Sequence, residues 1–396
     1  MTATVRPEPS DEAQHKQSGP RSASRSGPRS SPRPRVAALL AAATVLAVTA
    51  GQPASADPAP ADDGGAATAA AAATAPCGDP AITLEPVVQR FLDGLAASRA
   101  PAVNSLAPAA AREALDKLQA VPVKMEPATV TKRSIAGGPT GHVRVRVVRP
   151  AGLTGKLPAI VYVHGGGWVL GNYGTHARLV RQLAHGARAT VVFVDYTPSP
   201  EARYPVAVEQ VYTVAKWVAE HGDAIDVDGS RLAIAGDSVG GNMTAAVTLL
   251  AKRRGGPNFV QQALFYPVTD ADFGSATFRR FASGCWLTRG AMEWFWDNYA
   301  PNAAERRQVT ASPLRATVDQ LRGLPKALIL TDQADVLRAE GEAYALKLRA
   351  AGVPVTAVRY NGIIHDFMML NALRDARATK AAIKRSSETL RAALHD

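Results

Sequence analysis

Ser238 lies in a stretch whose residue types could perform nucleophilic chemistry, Gly236-Asp237-Ser238-Val239-Gly240. The apolar run Leu232–Ala235 precedes it and a helical pattern follows, which predicts a strand, a sharp turn and a helix. A serine at such a turn has a strained backbone that exposes its hydroxyl, and side chains two residues away on either side would clash. Because a Gly/Ser turn also serves ordinary packing, the pentapeptide alone leaves a structural interpretation open.

A nucleophilic serine needs a base and a group that orients the base. After Ser238 the sequence has two histidines, His365 and the penultimate His395. His365 follows a predicted strand and is favoured as the base, since chain ends commonly fray. Two carboxylates compete as the acid in the loop after the preceding strand, Asp332 and Asp335. We favour Asp335 because it is nearer the next helix, although either aspartate could instead cap that helix.

A glycine run could supply the backbone N–H donors that stabilise an oxyanion. This run, His164-Gly165-Gly166-Gly167-Trp168, directly follows a predicted buried strand, and the N–H of Val239 would add another donor. The alternative is a loop that is only flexible. Its position between a strand end and Trp168 favours the oxyanion function.

The elements that must position these residues alternate between strand and helix from about residue 130. We predict strands at 143–147, 159–163, 190–194, 232–235, 262–265, 327–330 and 355–358, and helices near 176–186, 206–220, 241–253, 339–351 and 378–394. This order predicts a mostly parallel sheet with helices on both faces, in which ligands bind beyond the carboxyl ends of the strands. Valines alternating with arginines over 143–147 are typical of an edge strand.

Residues 1–56 predict an export signal with a long basic amino-terminal region. Several arginines precede the apolar run Val36–Ala50, which is too short for a comfortable membrane span, and Ala54-Ser55-Ala56 fits a cleavage site before Asp57. The expected product is secreted, with an uncleaved membrane anchor or an alanine-rich helix as the alternatives. No Arg-Arg pair precedes the run, so the twin-arginine route is not supported. Residues 57–76 have the low complexity of a flexible linker.

The charge balance argues against nucleic-acid binding. The net charge of the chain is +11, but residues 1–56 hold 7 Lys/Arg and 3 Asp/Glu, and the remaining basic residues are scattered. Only two cysteines are present, Cys77 and Cys285, which in an exported chain could form a disulfide. Two thiols without a neighbouring histidine cluster argue against a structural metal site. No feature of the sequence indicates an oligomeric state.

Two segments lie outside the strand and helix alternation. Residues 77–129 contain two predicted helices, one over Val87–Leu95 and one over Ala109–Gln119, and the 130–396 domain contains an aromatic-rich insertion at about 270–312. Each could be plain packing against the core. Each could instead be part of a cap over the site, whose aromatic side chains bind the apolar part of a substrate.

These motifs together resemble those of the hormone-sensitive-lipase-like esterases, bacterial family IV, within the α/β-hydrolase family. The resemblance covers roughly residues 82–390 and rests on His164–Trp168, Asp195-Tyr196, Gly236–Gly241, Asp335–Gly341 and His365. It implies an α/β-hydrolase fold with a helical cap, and hydrolysis of small to medium acyl esters through an acyl-enzyme without cofactor or metal.

The resemblance also implies a role for each site residue. Ser238 would be the nucleophile, His365 the general base and then acid, and Asp335 the group that orients His365. Gly166, Gly167 and Val239 would donate to the oxyanion, with Gly165 as a further possible donor. The residues expected to contact substrate are Trp168, Trp286 and Phe367.

The sequence departs from the family pattern at positions close to the site. Val239 stands where the family usually has alanine, and Asp366 replaces the usual glycine after the histidine. Both departures bear on the range of substrates rather than on the reaction. Two alternatives to an esterase stay open: another chemistry on the same fold, such as an amidase or a dehydratase, and a non-catalytic ligand-binding protein.

Overall fold

The computed structural model describes Cys77, Asp79 and residues 81–396. The predicted export signal and linker, residues 1–56 and 57–76, lie outside the described residues. Within the described part of the chain, no helix combines the length and apolar character that a bilayer crossing requires.

The helices begin where local chemistry favours a helix start. Prolines occupy the first turn of the two amino-terminal helices, where a missing N–H costs nothing. Asn172 caps the third by accepting from the N–H groups of Gly174 and Thr175. The helices are α1 Pro86–Ser98, α2 Pro108–Gln119, α3 Tyr173–Ala187, α4 Val206–His221, α5 Val239–Arg254, α6 Ala276–Arg280, α7 Arg289–Tyr299, α8 Ala303–Arg306, α9 Val318–Leu321, α10 Arg338–Ala350 and α11 Arg377–His395.

Eight strands form one sheet in the order β1-β2-β4-β3-β5-β6-β7-β8. They are β1 Ala128–Ala136, β2 His142–Pro150, β3 Leu157–Val163, β4 Thr190–Asp195, β5 Val227–Asp237, β6 Gln261–Phe265, β7 Lys326–Ala334 and β8 Val355–Ile364. Strand β2 pairs antiparallel with both of its neighbours, and the other pairings are parallel. Helices α3 and α11 pack on one face, and α4, α5 and α10 on the other. The predicted α/β fold with a mostly parallel sheet is confirmed.

The sheet begins one strand earlier than the sequence predicts. Strand β1 was not predicted, because Ile135 is its only buried residue and its other side chains show no clear alternation. Strand β2, with its alternating valines, therefore lies second in the sheet and is not the edge. The expected boundary between residues 129 and 130 falls inside β1.

The two segments predicted as a cap are joined by a disulfide. Cys77, which precedes α1, bonds to Cys285 of the aromatic-rich insertion, and the two Cα atoms are 4.7 Å apart. Near this bond the rings of Phe91 and Trp286 lie 5.7 Å apart. Most of the insertion's large aromatic side chains are buried in the main hydrophobic core. The insertion is therefore packed against the rest of the 130–396 domain rather than standing clear of it.

Candidate active site

Ser238 occupies the sharp turn between β5 and α5. Its backbone has φ 55° and ψ −119°, a conformation rarely adopted by residues other than glycine, with a cost of about 1–3 kcal/mol. The turn is possible because of two glycines. A Cβ on Gly236 would lie 2.4 Å from the carbonyl carbon of Gly240, and a Cβ on Gly240 would lie 2.0 Å from the Val163 oxygen. The G-x-S-x-G spacing is thus a packing requirement.

His365 connects Ser238 to a carboxylate. Its Nε2 lies 2.9 Å from Ser238 Oγ, and its Nδ1 lies 2.9 Å from Asp335 Oδ2. Strands β7 and β8 end just before Asp335 and His365 respectively, so neighbouring strands deliver both side chains to one edge. The other oxygen of Asp335 accepts from the N–H of Leu337 at 3.0 Å, which fixes the carboxylate. The structure brings together the three residues that the sequence favoured.

The charge environment favours a protonated His365. Burial alone would lower the pKa of this imidazole, but the negative charges of Asp335 and Asp366, with the hydrogen bond to Asp335, raise it to about 10. The arrangement therefore strongly stabilises an imidazolium between the two carboxylates. This is the charge that His365 would carry after accepting a proton from Ser238.

Asp332, the other candidate acid, is fully buried, and its carboxylate makes no hydrogen bond within the described residues. Burial, followed by the charge of Asp335, raises the pKa of Asp332 well above its usual range. Asp332, Asp335 and His365 each offer a ligand atom within 4.8 Å of the others, close enough for a metal ion. Both nitrogens of His365, however, already contact Asp335 and Ser238.

The glycine run forms a tight loop beside Ser238. Gly166 and Gly167 have φ 107° and 63°, and a Cβ on Gly166 would lie 2.5 Å from the Leu170 oxygen. Neither of their N–H groups donates a hydrogen bond within the described residues. The N–H of Gly165 donates to Asp237 Oδ1 at 3.1 Å, so its predicted possible role as an oxyanion donor is not supported. Val239 begins α5, where the N–H has no partner within the helix.

A buried network that the sequence analysis missed holds this loop. Asp237 accepts from the Tyr162 hydroxyl at 2.6 Å and pairs with His176 Nε2 at 3.2 Å, in addition to its contact with Gly165. Burial alone would raise the pKa of Asp237, but the charge and hydrogen bond of His176 lower it. The charge of Asp237 in turn raises the pKa of His176 against the effect of burial. The position of Asp237 beside Ser238 was the signal that could have revealed it.

The three predicted substrate contacts have different surroundings. Trp168 is fully buried and stacks on Tyr299 of α7, with ring centroids 4.0 Å apart. Phe367 is also fully buried, against the rings of Tyr266 and Tyr360. The side chains of Trp168 and Phe367 are packed in the core and have no exposed surface, so the structure does not support their predicted contact with substrate. Trp286 is partly exposed, and its Nε1–H donates to Asp366 Oδ2 at 2.8 Å.

Similarity to known proteins agrees with the fold and this geometry. The profile of the α/β-hydrolase fold family matches residues 160–369. Carboxylesterase NlhH of Mycobacterium tuberculosis is 35% identical over 287 residues, which cover 72% of this chain and 89% of the relative. Ethyl acetate hydrolase of Pseudomonas putida is 36% identical over 239 residues, covering 59% of this chain and 74% of the relative.

Among solved structures, a thermostable esterase from Pseudomonas putida ECU1011 is 50% identical, with a TM-score of 0.78. The match covers 79% of this chain and 98% of that chain. The profile match, the relatives and the shared architecture lead to one conclusion. This chain belongs to the α/β-hydrolase family, in its hormone-sensitive-lipase-like group.

Proposed function

We propose that this protein is an exported serine carboxylesterase that hydrolyses short- to medium-chain acyl esters through an acyl-enzyme. The observation that carries the proposal is the continuous contact from Ser238 Oγ through His365 to Asp335, with both distances 2.9 Å. Relatives named carboxylesterase and esterase support the same reaction.

In the acylation step, Ser238 Oγ attacks the ester carbonyl carbon while its proton moves to His365 Nε2. Asp335 holds Nδ1–H, which orients the ring and stabilises the imidazolium. The carbonyl oxygen becomes an oxyanion that accepts from the N–H groups of Gly166, Gly167 and Val239. His365 then gives the proton to the leaving alkoxide, and the alcohol departs.

Deacylation repeats these steps with water as the nucleophile. His365 takes a proton from the water as it attacks the acyl carbon, and the same N–H donors bind the second oxyanion. The C–O bond to Ser238 breaks, and the proton on His365 returns to Oγ. The products are a carboxylic acid and the free enzyme, with no need for a cofactor or metal.

The covering of the site supports a preference for small acyl groups. The ring of Phe295 in α7 packs directly on Gly167, and Ser238 is only 4% exposed. A long acyl chain would have to displace this packing, whereas a short one requires little space. The relative named ethyl acetate hydrolase acts, by its name, on a two-carbon acyl ester.

Activity on a series of chromogenic esters from two to sixteen carbons tests the proposal. We expect hydrolysis to be fastest on the short and medium chains. Ser238→Ala should lower kcat by roughly four to six orders of magnitude. Ser230→Ala is the matched control, since this serine is exposed and its hydroxyl contacts Asp228. A folded protein that cleaves no ester would favour amidase or dehydratase chemistry, or a ligand-binding function, each testable with the corresponding substrates.

Export is supported by the signal-like residues 1–56 and by the Cys77–Cys285 disulfide, since such bonds persist in oxidising compartments. Amino-terminal sequencing of the protein from the culture medium of an expressing bacterium tests it. Secretion with a first residue near Asp57 is expected. Retention in the membrane fraction with an intact amino terminus would replace secretion by anchoring through the uncleaved signal.

A further inference from the structure

The carboxylate of Asp366 lies beside the imidazole nitrogen of His365 that faces Ser238. Its Oδ1 lies 3.4 Å from His365 Nε2, the nitrogen that also contacts Ser238. This oxygen is buried and makes no hydrogen bond within the described residues. The backbone of Asp366 has φ 64°, a left-handed conformation that few residues other than glycine adopt readily. A carboxylate is therefore held beside the reacting nitrogen at a backbone position that favours glycine.

The other oxygen of Asp366 is held by the cap and not by the sheet. The indole N–H of Trp286 donates to Oδ2 at 2.8 Å. Trp286 directly follows Cys285, whose disulfide to Cys77 joins the insertion to the segment before α1, and the Trp286 ring lies against Phe91 of α1. The carboxylate beside His365 is thus connected to both parts of the cap through one tryptophan.

We propose that Asp366 is a positioning residue that couples the cap to proton transfer at His365, with Trp286 holding its carboxylate beside Nε2. The inference rests on the proposed esterase function and extends it, because Asp366 acts on His365 rather than on the substrate. Two carboxylates then flank the ring, Asp335 at Nδ1 and Asp366 at Nε2.

The physical basis is attraction between the carboxylate and the imidazolium. After the opposing effect of burial and the charge of Asp335, the charge of Asp366 is the next largest influence that raises the pKa of His365. Burial raises the pKa of Asp366 itself, whereas the charge of His365 and the Trp286 hydrogen bond lower it. Trp286 therefore helps to keep Asp366 ionised. The other titratable groups near the pair are Asp332 in β7, Asp335 just after β7, Asp237 at the end of β5, His176 of α3 and Tyr266.

The pH profile of kcat/KM for a chromogenic butyrate ester distinguishes this role from a packing role. Asp366→Asn keeps an oxygen for Trp286 but removes the charge, so His365 should lose its proton at lower pH. The ratio of kcat/KM at pH 8 to that at pH 10 should rise about two- to fivefold, which is the change expected when the pKa of His365 falls from about 10 by about half to one unit. Asp366→Gly, which also relieves the backbone, should shift the ratio in the same direction. Asp319→Asn is the charge-matched control, because its side chain is 80% exposed and, among the described residues, its carboxylate pairs with Arg322 alone.

Trp286→Phe tests the connection to the cap. Without the indole donor, Asp366 should keep its proton to higher pH and so lose its negative charge over part of the range. The pH profile of kcat/KM should therefore shift in the same direction as in Asp366→Asn. In the Asp366→Asn background, Trp286→Phe should leave the profile unchanged, since no charge remains for the indole to stabilise. An additive shift in the double variant would overturn the coupling.

A measurement independent of activity separates this inference from the proposed function. In Ser238→Ala protein, the imidazole signals of His365 can be followed by NMR against pH and assigned by their loss in His365→Asn. A lower pKa of His365 after Asp366→Asn supports the inference even if no ester is cleaved. An unchanged pKa, or lower activity with an unmoved pH profile, would show that Asp366 only packs and would reject the inference while leaving the esterase proposal intact.

Discussion

The ring of Phe295 lies so close to Gly167 that a Cβ at position 167 would be 2.0 Å from Phe295 Cδ1. Phe295 belongs to α7 in the insertion, and Gly167 belongs to the loop predicted to bind the oxyanion. The aromatic-rich insertion and the glycine run are thus in direct contact through the ring of Phe295. The glycine at this position serves two needs, since its φ of 63° is also left-handed.

Gly167→Ala should disrupt catalysis more than folding. The added Cβ would push Phe295 or the loop aside, misplacing a donor whose loss costs about 10²–10³ in kcat. Gly155→Ala provides the control, because Gly155 has a similar φ of 73° but no atom within 4 Å of the added Cβ. Steady-state kinetics and thermal unfolding of both variants check this. Equal loss of activity in the two would show that backbone strain, and not the contact with Phe295, is responsible.

Esterase activity should increase toward alkaline pH. His365 can accept the Ser238 proton only when its imidazole is neutral, and its surroundings raise its pKa to about 10. We therefore expect kcat/KM to rise between pH 6 and pH 9 as the imidazolium is lost. A stopped rate assay on an acetate ester, corrected for spontaneous hydrolysis, measures the profile. A flat profile from pH 6 to 8 would mean that His365 is already neutral there.

Asp332 in β7 and Asp335 just after it should differ sharply in importance. Asp335→Asn removes the charge that orients and stabilises His365, and a loss in kcat of about 10⁴ is expected. Asp332→Asn keeps the shape of a side chain that makes no hydrogen bond to His365 or Ser238, so activity should change by less than about threefold. Parallel kinetics on the two purified variants provide the comparison, and the reverse order would assign the orienting role to Asp332.

Reduction of the disulfide should lower the stability of the fold. Cys77 and Cys285 are 208 residues apart, and closing so long a loop removes much of the entropy of the unfolded chain, which suggests a loss of about 2–5 kcal/mol. Urea unfolding with and without reductant measures the difference. A Cys77→Ser, Cys285→Ser double variant should unfold at the same urea concentration as the reduced protein. Its unfolding midpoint should not change when reductant is added. Identical midpoints for oxidised and reduced wild type would refute the stabilising role.

Local spacing in the sequence carries the information on the turn that holds Ser238. The glycines around Ser238 are required because a Cβ would collide with atoms of the turn itself and of the adjoining end of β3. The motif is therefore enough to predict the shape of the turn. The order of strands also placed His365 beside the acid loop. The sequence distinguishes Asp332 from Asp335 less well, because both follow the strand predicted at 327–330, whereas β7 itself runs to Ala334 and contains Asp332. What separates them is the direction of each carboxylate, which the contact between Asp335 and the Leu337 N–H fixes.

Other features depend on contacts between distant parts of the chain. Trp168 was expected to contact substrate, but its ring turns into the core against Tyr299, 131 positions later in the sequence. The contact between Trp286 and Asp366 spans 80 residues. Strand β1 escaped prediction for a different reason, since its exposed side chains lack the periodicity on which strand prediction relies.

The disulfide between Cys77 and Cys285 can form only after both cysteines have been synthesised. Cys77 leaves the ribosome 208 residues before Cys285, which at about 5–20 residues per second is an interval of roughly 10–40 s. The chain contains no third cysteine, so during that interval the thiol has no incorrect partner within its own molecule. Correct pairing therefore needs an electron acceptor but no reshuffling enzyme, and the remaining hazard is a bond between two nascent chains.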